Sequence, residues 1–110
     1  MINLLRTSVI ILSFLFTTQV YAWDGAPSGT ITDIQVTGAT NFAFRVTLNS
    51  SSTSYCGSGT QWAYVNKSHD NYEVFVSILT SAFMAAKPVT LYVTKDGTNN
   101  CALGHISMAH

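Results

Sequence analysis

SHDNYEVFVSILTSAFMAAK, residues 68–87, is the stretch whose reading decides the fold. Tyr72, Phe75, Val76, Leu79, Ala82, Phe83 and Ala86 recur at helical spacing, while Asp70, Glu73, Ser77, Thr80, Ser81 and Lys87 fall mostly on the opposite side. Ser68 or Asp70 is placed to cap the start, with Glu73 three residues after Asp70. Lys87 suits the negative end of the helix dipole, and Pro88 stops the helix. An amphipathic helix needs an apolar surface to cover, so the segments on either side of it decide the architecture.

Those segments read as strands. Residues 30–36 alternate through Ile31, Ile34 and Val36, with a break in register near Asp33 that predicts a bulge. Residues 37–41, TGATN, carry turn chemistry. Phe42, Phe44, Val46 and Leu48 then alternate cleanly with Ala43, Arg45, Thr47 and Asn49. Residues 49–59 are rich in Ser, Thr and Gly and read as a flexible surface loop pinned by Cys56. Residues 60–66 make a third strand, with Trp62 and Tyr64 on one face and Ala63 and Val65 on the other. After the helix, Val89, Leu91 and Val93 alternate with Thr90, Tyr92 and Thr94. Asp96-Gly97 signals a hairpin turn, and residues 101–108 form the last strand. Gly104 within it implies a bulge or a close backbone approach.

The expected class is mainly β with one helix, in the order β-β-β-α-β-β. That is the order of a five-stranded OB-fold-like barrel, with the helix closing one end. The alternative on the same pattern is an open α+β sheet with one covering helix.

Residues 1–22 read as a cleaved signal peptide: Arg6, an apolar run from Val9, then Val20 and Ala22 as the small residues before the cut. That run is too short to span a bilayer comfortably. Residues 23–110 are then a single domain in a secreted or periplasmic setting. Two cysteines in an exported chain imply one disulfide, Cys56 to Cys101.

Charge excludes some partners. Beyond the leader, Arg45, Lys67, Lys87 and Lys95 face Asp24, Asp33, Asp70, Glu73 and Asp96, so there is no basic stripe for nucleic acid and no polybasic face for a membrane. His69, His105 and His110 show no metal-ligand spacing, and no nucleophile elbow or phosphate-cradling glycine loop occurs. The expectation is a non-enzymatic protein with no cofactor and no metal. Its chemistry lies in its aromatic residues. Phe42, Phe44, Phe75 and Phe83 read as core, whereas Trp23, Trp62, Tyr64 and Tyr92 are amphipathic and suit an interface or a sugar-stacking surface.

Three blocks carry a family resemblance: Trp23-Asp24-Gly25 with Ser28-Gly29 before the first strand, Lys87-Pro88-Val89-Thr90-Leu91-Tyr92 after the helix, and the closing Cys101-Ala102-Leu103-Gly104-His105-Ile106. Together they resemble the B subunits of subtilase-cytotoxin and typhoid-toxin-like AB5 toxins, and small secreted bacterial proteins that share the pattern. The resemblance implies an OB-fold, a homo-oligomer of five in a ring, and a glycan ligand contacted by the serine before the first strand, here Ser28. Ligand-binding residues are thus expected at Ser28, Trp23, Trp62 and Tyr64, for a glycan or a protein ligand. The competing expectation is a structural or inhibitor domain without a sugar site.

Overall fold

The computed structural model describes residues 23–50, 52, 54–57 and 59–109; the signal-peptide expectation falls on residues 1–22, outside the described residues. Five strands and one helix follow in the expected order: β1 (Ser28–Val36), β2 (Phe44–Asn49), β3 (Ala63–Val65), α1 (Tyr72–Ala85), β4 (Val89–Lys95) and β5 (Cys101–Ser107). The sheet closes on itself in the order β1-β2-β3-β5-β4, with β4 returning to β1 through Ser28↔Thr90 and Gly29↔Val89. Every seam is antiparallel except β3–β5, which is parallel and holds through Ala63↔Cys101 and Tyr64↔Ala102. The result is mainly β with a single covering helix.

Alternation sets what lies inside the ring. Phe44, Val46 and Leu48 of β2, Ala63 and Val65 of β3, Val89, Leu91 and Val93 of β4, and Cys101 and Leu103 of β5 are all buried in one core. Successive side chains point to opposite faces, so Arg45, Thr47, Tyr64, Thr90, Tyr92 and Thr94 belong to the outer surface. The register of β1 against β2 shifts between Ile31 and Asp33, where the sequence predicts a bulge.

The helix is shorter than the 68–87 pattern. Residues before Tyr72 form turns instead, with the His69 N–H bonded to the Asn66 carbonyl (3.0 Å) and the Tyr72 N–H to the His69 carbonyl (3.0 Å). Neither Ser68 nor Asp70 caps the start: Asn71 holds the cap position and makes no side-chain cap bond. At the other end Ala86 adopts a left-handed conformation (φ 54°), and the Lys87 N–H closes back on the Ala82 carbonyl (2.9 Å). Phe75, Leu79 and Ala82 are buried, with Tyr72 and Val76 packed beside them. Phe83 does not join them and is 39% exposed, contrary to its reading as core. At about 100° per residue it lies roughly 70° off the axis of the Phe75–Leu79–Ala82 stripe, in the last turn of the helix.

The 23–27 arm is tied down along β4: the Asp24 N–H reaches the Val93 carbonyl (2.8 Å), and the Leu91 N–H reaches the Pro27 carbonyl (2.9 Å). Within the 49–59 segment, read as a surface loop pinned only by Cys56, Tyr55 is also an anchor. It is buried in the core, and its hydroxyl accepts the Leu48 N–H (2.8 Å). Burial pushes the Tyr55 phenol up from its ordinary value, against the opposing effect of the Leu48 backbone bond. Tyr55→Phe leaves the buried Leu48 N–H without that acceptor and is expected to cost about 1–3 kcal/mol, read as a lower urea midpoint at unchanged slope.

Cys56 and Cys101 form a disulfide across a sequence separation of 45, with their Cα atoms 5.7 Å apart. Among the described residues no helix is long and apolar enough to cross a membrane.

Candidate functional site

The outer surface over β4 and β5 is built by register. Thr90 pairs with Ser107 and Tyr92 with His105, while Ser28 pairs with Thr90 from the other side. Three strands thus place Ser28, Thr90 and Ser107 in one outward row of hydroxyls, with Tyr92 and His105 in the row beside it. The Ser28 and Thr90 hydroxyls are hydrogen-bonded to each other at 2.7 Å. With Pro88 and Ala109 this row lines a shallow cavity of about 150 Å³.

Trp23 completes the surface. The bonds that the arm makes to β4 carry its indole onto β5 at Gly104. A Cβ at that position would stand 2.4 Å from Cζ3 and 2.8 Å from Cη2 of the indole, so only glycine admits the ring there. Of the bulge and the close backbone approach that the sequence implies at Gly104, the register of β5 against β4 shows the bulge, and the group that approaches is an aromatic ring rather than backbone. The ring centroid lies 6.0 Å from Tyr92 and 6.1 Å from His105, with Tyr92 and His105 edge-on at 4.9 Å. Trp23 remains 43% exposed. The indole is held from below and flanked, yet open to solvent.

Trp62 and Tyr64 lie elsewhere, on the outer side of β3 and the segment leading into it. Tyr64 is buried although it points away from the core. Phe42 packs edge-on against it at 4.6 Å, and its hydroxyl donates to the Asp96 carboxylate at 2.5 Å. Burial, then the bond to Asp96 and its negative charge, push the Tyr64 phenol far above the ordinary range. Desolvation works to raise the Asp96 carboxyl. The bonds from the Thr98 and Tyr64 side chains and from the Thr98 and Asn100 backbone outweigh it and hold the group below its usual value. Trp62 is half-buried, and the Arg45 guanidinium sits 5.0 Å over its ring. Two of the four expected ligand residues, Ser28 and Trp23, therefore share a surface; the other two share a different one.

Sequence reasoning does not single out Thr90 and Ser107 for this surface, nor His105. The hydroxyl row exists only once β1, β4 and β5 are in register, and nothing local in any strand announces it. His69 stands apart at the start of the helix, 5.0 Å from the Phe75 ring, and accepts the Asn71 N–H through Nδ1 (3.0 Å). Among the described residues no three His, Cys, Asp or Glu side chains converge on a point that would hold a metal ion.

No family model matches the chain, and no curated protein or solved structure matches it.

Proposed function

We propose that this chain is an exported, non-enzymatic binding module that holds a glycan on the Trp23 surface. The observation that carries the reading is an open indole laid on Gly104 beside a row of three hydroxyls. A sugar ring offers an apolar face of C–H groups and a rim of hydroxyls. The indole matches the first by stacking, and Ser28, Thr90 and Ser107 match the second as donors and acceptors. The resemblance to toxin B subunits points to the same serine. Export is supported by the leader-like pattern of residues 1–22 and by the disulfide.

A glycan array tests the reading. Ser28→Ala is expected to weaken binding by about tenfold, the loss of one or two hydrogen bonds. Trp23→Ala is expected to weaken it by at least about tenfold. An array on which the protein binds nothing, or binding that neither substitution alters, refutes the glycan surface. Assembly as a ring of five is the further implication of the resemblance, and light scattering measures it. A monomer that binds no glycan fits the structural or inhibitor reading instead.

A further inference from the structure

The second cluster has a different chemistry. Arg45 is the lone arginine among the described residues, and it is held in place without an acid. Its Nε donates to the Phe42 carbonyl (3.1 Å) and its Nη2 to the Asn41 carbonyl (3.3 Å). Its guanidinium lies 5.0 Å over Trp62 and 5.8 Å from the centre of Phe42. No ion pair forms between it and any described residue. The Asp96 carboxylate, which meets the cluster through Tyr64, is engaged by Tyr64 and Thr98. Phe42, which supplies the first carbonyl, sits at φ 55°, a conformation that is a genuine outlier for a bulky side chain. Strain of this kind persists only where its surroundings over-determine it, and it gathers at binding sites. Here the surroundings are the Trp62 and Tyr64 rings, at 5.7 and 4.6 Å from that of Phe42.

We propose that Arg45, steadied by Trp62 and Phe42, is a binding site for a small carboxylate, separate from the Trp23 surface. Arg45 already covers Trp62, so the cluster presents a fixed positive fork rather than a bare stacking face. The two carbonyls and the rings fix the guanidinium before any ligand arrives, which lowers the ordering cost of binding. The donors left on Nη1 and Nη2 match the two oxygens of a carboxylate. Among the described residues Arg45 is the one cation over these rings, which suits a monoanion better than a phosphate dianion. A single fork with one positive charge suits a small acid or a sugar acid, whose one carboxylate it can bind whole. Arg45 on β2 and the Trp23 ring over Gly104 on β5 are separated around the ring by β3.

The test is a titration of the ¹⁵N-labelled full-sequence protein with sodium glucuronate, sodium acetate, glucose and sodium chloride at matched ionic strength. The readouts are the Arg45 Nε–H and Trp62 indole N–H resonances, assigned with Arg45→Lys and Trp62→Phe. A saturable shift of both with glucuronate or acetate, absent with glucose and chloride, is the expected result. Binding of both acids identifies the carboxylate alone as the determinant, and binding of glucuronate alone identifies a sugar acid. Arg45→Lys keeps the charge but loses the fork, and is expected to weaken the interaction about tenfold. Trp23→Ala leaves it unchanged. No saturable shift, an equal shift with chloride, or unaltered binding by Arg45→Lys overturns the proposal. Arg45→Gln is a second variant, and if it fails to fold the lysine variant still decides. Loss of neutral-glycan binding in Trp23→Ala is read in a separate assay, so either site can fail alone.

Discussion

Cys56→Ala/Cys101→Ala is expected to unfold about 4 kcal/mol more easily than the wild type, close to the limit of what a domain of this size tolerates. The bridge spans a sequence separation of 45, and closing a loop of that length removes much of the freedom of the unfolded chain. Both sulfurs are also part of the packing: Cys56 is 1% exposed and Cys101 0%. Cys101 lies on β5 at the parallel seam, opposite Ala63, and Cys56 follows the buried Tyr55. Losing the bond frees the 49–59 segment and weakens the same edge of the ring. Urea unfolding of the oxidised wild type and the double variant measures the difference. Dithiothreitol should move the wild type towards the variant. A loss under about 1 kcal/mol would mean that the segment is held by Tyr55 and its hydrogen bonds rather than by the cross-link.

Leu79→Ala is the second large effect, expected at about 3 kcal/mol. Leu79 is fully buried, at the centre of the stripe formed by Phe75 and Ala82. It is also among the largest side chains with no solvent contact, so truncation leaves a cavity that the closed ring is poorly able to collapse. The control lies on the same helix. Met84 is 78% exposed, and Met84→Ser is expected to change stability by no more than about 0.5 kcal/mol. If both substitutions cost alike, the helix is held by its own propensity and not by what it covers. Calorimetry and urea titration of the pair separate the two accounts.

The parts of the fold legible in the sequence are those written in local pattern. The alternation of Phe42, Phe44, Val46 and Leu48, and of Val89, Leu91 and Val93, predicts inward faces, because a strand in a closed sheet has one side to bury; all but Phe42, which packs outside the core on Trp62 and Tyr64, are buried there. The register break at Asp33, the pairing of the two cysteines and a bulge at Gly104 are equally readable. The helix start was not. Asn66 bonds the Ala43 N–H through its side chain (3.0 Å), and the turns that follow delay the helix to Tyr72. Tyr55 was hidden by its Ser- and Gly-rich neighbours, since composition describes a segment and its burial is decided by one side chain. For the sites, Trp23 and Ser28 were nameable one at a time, but their company was not. Thr90, Ser107 and His105 join them through strand pairing, a property of no single strand. In the sequence Arg45 is an ordinary outward residue of an alternating strand; its setting, Trp62 and the carbonyls of Asn41 and Phe42, is assembled only by the fold.

The parallel seam between β3 and β5 carries a consequence for how the chain is made. A polypeptide emerges from its amino end, and β5 is the last of the five strands to appear. Until it does, β3 has no partner on one side, β4 has none on the other, and Cys56 has no thiol to meet. The nascent β1–β2 hairpin therefore travels with open strand edges and a lone sulfhydryl, a state prone to pairing with the wrong neighbour. The ring can close only once β5 is present, because β5 joins β3 to β4 and carries Cys101, the partner of Cys56.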